Sequence, residues 1–255
     1  MKICQIVILV FMALSVGGCN QAIGGGSIDV AERTNEVAES NLNLGIAYLK
    51  RGEYEISLEK LNRALEADPR YTPTLNALGL LYQKLGNNDK AEQYFKQALG
   101  IRSNDPYTLN NYGQFLCAID RFDEAQNAFI GAANNPLYET PEISITNAGT
   151  CALKNNHPDT AEKFFREALE KNQKIPIALI QMSHLSYDQG NYLSARGYLQ
   201  RYLEVGKHTA TSLWLGIQIE QQLGDKNTLS SYALLLKNKF PDSNEAKLLQ
   251  ESGIK

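Results

Sequence analysis

LNNYGQFLCAIDRFDEAQNAFIGAANNP, from Leu109 to Pro136, decides the fold. Leu109, Tyr112, Gly113 and Leu116 fall at i, i+3, i+4 and i+7, which makes one face of a helix. Ala125, Phe129 and Ala132 mark a second helical face after a break at Asp120-Arg121. Pro136 then ends the second stretch, because proline cannot continue a helix. A glycine inside a helix costs about 1 kcal/mol relative to alanine. Gly113 is tolerated if two helices must approach closely there, with Ala125 small on the facing side and Phe129 filling the space between units.

The same text recurs along the chain. Gly45, Gly79 and Gly113 are each 34 residues apart; Gly149 follows after 36, Ser183 after 34 and Gly216 after 33. The triplets Ala91/Phe95/Ala98, Ala125/Phe129/Ala132 and Ala161/Phe165/Ala168 accompany three of these anchors. The other units are degenerate: the first has Ser57 and Leu61 in the triplet, the fifth has Leu199 and Tyr202, and the sixth places Leu229, Ala233 and Leu236 there. A fixed period of this length is the mark of a repeat architecture. The pattern resembles the tetratricopeptide repeat over about residues 38–242. The fold that this resemblance implies is all-α: a right-handed superhelix of about six helix-turn-helix units. Residues 243–255 supply a solvating cap and tail, with Ser243 or Asn244 placed to cap a last helix.

Residues 1–18 stand outside this pattern. Lys2 precedes the unbroken apolar run Ile6–Leu14, which is too short to span a bilayer and reads as an export signal. Val16-Gly17-Gly18-Cys19 resembles the lipobox of bacterial lipoproteins. That resemblance implies cleavage before Cys19 and acylation of its thiol; two or more acyl chains anchor stably, at roughly 0.8 kcal/mol per buried CH₂. Asn20 rather than Asp after the cysteine points to the outer membrane. Residues 19–37, with Gly24-Gly25-Gly26, read as the lipidated end and a flexible tether.

Composition narrows the function classes. The 255-residue chain is 43% hydrophobic and 21% charged, in the ordinary globular range. Without residues 1–18 it carries 24 basic against 28 acidic residues, a net charge of −4. That balance argues against nucleic acid, which calls for clustered Lys and Arg. His157, His184 and His208 share no ligand-like spacing, and no phosphate loop or nucleophile elbow occurs. The sequence therefore reads as a non-enzyme without cofactor, metal or small-molecule substrate, acting as a monomer through surface recognition.

Repeats of this kind bind partners in the groove lined by their first helices. Counting along each unit assigns that groove to Leu42, Ile46 and Leu49, then Asn76, Leu80 and Gln83, then Asn110, Gln114 and Cys117. The first unit is oily where a solvated face is expected. Either residues 28–37 cover it, or it is an exposed patch that receives a partner. No counted position holds the lysine by which chaperone-binding relatives clamp a carboxylate. The asparagines offer paired donors and acceptors to an extended backbone.

Three stretches narrow the family: Leu109-Asn110-Asn111-Tyr112-Gly113, Asn135-Pro136-Leu137-Tyr138 with Pro141, and Ser231 to Leu236 leading to Phe240-Pro241. They resemble the type IV pilus biogenesis and stability lipoproteins, the pilotins. This resemblance implies an outer-membrane lipoprotein that binds secretin (PilQ-type) subunits and promotes their localisation and multimerisation. The competing reading is a repeat-scaffold lipoprotein of outer-membrane protein assembly or of cell-wall synthesis control. Cys117 and Cys151 are the two thiols remaining if Cys19 carries lipid, and they fall on neighbouring first helices. A disulfide between them is expected, against the alternative of two buried thiols. Replacing Cys19 with Ser is expected to release the chain from the outer-membrane fraction on cell fractionation. Retention there would contradict the anchor.

Overall fold

A computed structural model describes residues 26–253. The signal, Cys19 and the start of the tether lie outside the described residues. Thirteen helices, without a strand among the described residues, form an all-α solenoid. Six antiparallel pairs follow one another: α1 (Gly26–Arg51) with α2 (Tyr54–Ala67), α3 (Thr72–Lys84) with α4 (Asn88–Ile101), and α5 (Pro106–Ala118) with α6 (Phe122–Ala133). Next come α7 (Pro141–Lys154) with α8 (Pro158–Lys171), α9 (Pro176–Asp188) with α10 (Tyr192–Val205), and α11 (Ala210–Leu223) with α12 (Lys226–Lys239). A short α13 (Asn244–Glu251) closes the stack. The Ser243 hydroxyl caps it by accepting from the Ala246 N–H, and Ala246 and Leu249 pack onto α11 and α12.

Each pair turns at the same place. Gly52, Gly86, Asp120, Asn156, Gly190 and Gly224 are all left-handed, with φ between 56° and 77°. Glycine adopts this conformation without penalty, and Asp and Asn are the side-chain residues that tolerate it best.

Within each pair the anchor glycine meets the residue sixteen places on. A Cβ at Gly79 would lie 2.7 Å from the Phe95 ring, one at Gly113 2.8 Å from Phe129, and one at Gly149 2.7 Å from Phe165. Leu61 occupies this place over Gly45. In the fifth unit Ser183 replaces the glycine and donates its hydroxyl to the Ala195 carbonyl at 2.8 Å, opposite the smaller Leu199. The sixth unit corrects the sequence reading by one residue. Tyr232, not Ala233, covers Gly216 at 2.8 Å, while Ala233 and Leu236 turn into the core that α13 closes. The rings also join units: Phe95 lies 5.7 Å from both Tyr112 and Phe115 of the next pair.

Polar contacts reinforce two of these joints. Glu92 on α4 accepts from Arg121 and from the Tyr112 hydroxyl across the joint, and from Lys96 on its own helix. The Lys96 hydrogen bond, aided by Arg121 and Tyr112 against the cost of burial, holds its carboxyl down at about 2. Glu220, 2% exposed, is held in a two-pronged pair by Arg196 from the preceding unit. Removing Arg196 would leave the buried Glu220 charge uncompensated, which typically costs about 3–5 kcal/mol.

The sequence reading placed residues 19–37 in a tether; of these, the described residues 26–37 are helical. Residues 26–37 belong to α1, a helix of 26 residues, about 39 Å long. From Ser27 to Ser40 there is no Pro or Gly to interrupt it.

The 36-residue joint holds the two-residue insertion. Asn135 organises it, donating to the Asn104 carbonyl and accepting from the Leu137 N–H. Tyr138 packs edge-on against Tyr107 at 5.3 Å. Towards the other end of the same two first helices, Cys117 on α5 and Cys151 on α7 are joined, with Cα atoms 5.9 Å apart.

These packing contacts make opposite predictions for chemically identical changes. Gly113→Ala is expected to lower the melting temperature, because overpacking costs about 1–3 kcal/mol and exceeds the propensity gain. Gly197→Ala, where an added Cβ meets nothing within 4 Å, is expected to raise it by relieving about 1 kcal/mol. Thermal denaturation followed by circular dichroism checks both; equal responses would refute the packing assignment.

Candidate protein-binding groove

Successive first helices touch one another, α1 with α3, α3 with α5 and α5 with α7, and no pair of second helices packs comparably. The first helices therefore form the crowded, inner side of the solenoid. Between α1, α3 and the start of α5 this inner side opens into a groove of about 760 Å³. Ile46, Leu49, Tyr54, Ala77, Leu80 and Tyr107 make its apolar surface. Tyr107 stands half-exposed at the start of α5.

Of the groove residues expected from sequence, the structure brings together Ile46, Leu49, Asn76 and Leu80. Five others lie elsewhere, Cys117 among them in the bridge to Cys151. Leu42 is 5% exposed and packs with Leu61, Leu78 and Leu81, so it is a core residue. Asn110 is buried, and its carbonyl oxygen accepts from the Asn147 amide at 2.9 Å. Gln114 is exposed and Gln83 half-buried; neither borders the groove. Asn76 is already half engaged, accepting from the Asn111 amide at 3.1 Å, and its own Nδ2 makes no hydrogen bond among the described residues. The asparagines thus tie neighbouring first helices together as well as facing the groove. Residues 28–37, the segment weighed as a cover for the groove, belong to α1.

Sequence reasoning missed the basic edge. Lys50, Arg51 and Lys84 border the groove, and no acidic residue does. Lys50 and Lys84 each stand five residues after an anchor glycine, so the 34-residue period was the signal that could have found them. Arg51 is paired with Glu53 at 2.8 Å.

Comparison with known proteins places this architecture. A tetratricopeptide repeat family model matches residues 36–104. The type IV pilus assembly protein PilF of Pseudomonas aeruginosa is 30% identical over 243 residues, covering 95% of this chain and 96% of that protein. The chain belongs to the PilF/PilW family of type IV pilus tetratricopeptide-repeat proteins. A solved structure of PilF from Pseudomonas aeruginosa superposes with a TM-score of 0.78 at 31% identity, covering 86% of this chain and 99% of that one. The crystal structure of PilW, described as a widely conserved type IV pilus biogenesis factor, gives 0.74 at 30% identity, covering 85% and 99%. No helix among the described residues is long and apolar enough to cross a membrane.

Proposed function

We propose that this member of the family is a non-catalytic scaffold of type IV pilus biogenesis. It binds secretin subunits in the groove of its first two units and promotes their localisation and multimerisation at the outer membrane. Lipid on Cys19 holds it to that membrane, facing the periplasm, and the Cys117–Cys151 bridge forms in that oxidising compartment. The bridge closes a loop of 34 residues and in the chain-entropy model stabilises by about 3–4 kcal/mol. The observation that carries the reading is an open apolar groove on a solenoid of the pilus family. Ile46, Leu49 and Leu80 keep apolar surface on the inner side, where a self-sufficient repeat would present polar groups. Filling such a groove with partner side chains gains roughly 25 cal/mol per Å² of apolar area removed from water.

Ile46→Asp with Leu80→Asp is the direct test, because both residues are only partly buried. The variant is expected to keep its helical circular dichroism and to abolish secretin multimers on non-denaturing extraction of outer membranes. Leu42→Asp is unsuitable, since it would bury a charge in the core. Normal multimers with the folded double variant would move the site off this groove.

A further inference from the structure

We propose that the groove selects a segment in which apolar side chains are accompanied by acidic ones, with Lys50 and Lys84 as the selecting residues. This rests on the groove being the partner site, and adds the chemistry that it prefers. Lys50 and Lys84 follow Gly45 and Gly79 at the same register, so their ammonium groups rise from the same turn of two adjacent first helices. Neither makes an ion pair among the described residues. Lys154, at the equivalent register of the fourth unit, is engaged with Asp120 at 2.8 Å and with the carbonyls of Cys117 and Ala118. The contrast is informative: where a lysine of this row has structural work, the acid and the carbonyls that occupy it are present. Beside the groove they are missing, and Arg51 is already neutralised by Glu53.

Two adjacent unpaired cations along an apolar trough with no acidic residue at its border favour a partner that brings the carboxylates. Neighbouring helices pack about 8–10 Å apart. Carried at the same register on two helices in contact, the two ammonium groups act on one bound segment together. The apolar surface supplies the affinity, and the lysines discriminate among apolar segments by charge.

Fluorescence anisotropy with three labelled twelve-residue probes tests this: repeats of Leu-Leu-Glu-Glu, Leu-Leu-Gln-Gln and Leu-Leu-Lys-Lys. The full chain is expected to bind the acidic probe roughly tenfold more tightly than the neutral one, and the basic one least. The preference should shrink between 50 and 500 mM salt, both round working values on either side of physiological ionic strength. Lys50→Gln with Lys84→Gln should remove the preference while leaving neutral-probe binding and the melting temperature within error. Equal affinity for acidic and neutral probes would overturn the charge selection and leave the groove reading standing. No binding of any probe would overturn both. A double variant that melts earlier but keeps the preference would assign the lysines to helix C-termini alone. Binding to phosphatidylglycerol vesicles that the double variant abolishes, with no preference among peptides, would assign them to lipid and overturn the proposal.

Discussion

An aromatic or leucine side chain pressed onto a bare helix backbone is the contact on which the solenoid depends. Phe95 on Gly79, Phe129 on Gly113 and Phe165 on Gly149 leave no room for a Cβ. The glycine costs helix propensity, and the close approach returns more through burial of a whole ring; truncating such a ring to alanine typically costs about 3–5 kcal/mol. Because the same rings reach the next unit, one contact fixes both the helix pair and the angle between pairs. Phe95 against Tyr112 and Phe115 shows this directly.

The groove is a consequence of that stacking. Once the second helices supply the covering side chains, the first helices are left to line the inner side. In later units that side is occupied by internal contacts: Asn110 with Asn147, and Lys154 with the carbonyl ends of α5. In the first two units that occupation is partial, with Asn76 accepting from Asn111. Among the described residues no first helix precedes α1 and neither Lys50 nor Lys84 makes an ion pair, and Ile46, Leu49 and Leu80 remain at the surface as an apolar trough beside these two lysines. The insertion after α6 and the Cys117–Cys151 bridge then tie down the joint where the regular period breaks.

Most of this was legible in the chain. A Gly and a Phe sixteen residues apart, repeated at a fixed period, allow few other folds. The departures have physical reasons. Leu42 and Ile46 sit four residues apart on one helix, so a face wide enough to hold both serves the core at one edge and the groove at the other. Lys84 was missed because one step along a helix from Gln83 rotates a side chain by about 100°. Tyr232 and Ala233 are adjacent and both apolar, so the last register slipped until Gly216 located the ring. Gly24-Gly25-Gly26 suggested a tether reaching the first repeat, but residues 27–40 hold neither Pro nor Gly and are helical.

Site-specific photocrosslinking in intact cells tests the central claim most directly, with a benzoylphenylalanine placed either at Lys84 on the groove edge or at Leu234, which is 60% exposed on α12. A crosslink to secretin from position 84 and none from position 234 is the expected result. Crosslinking from position 234 alone would show that the partner docks on the second helices, and would contradict a groove on the inner side.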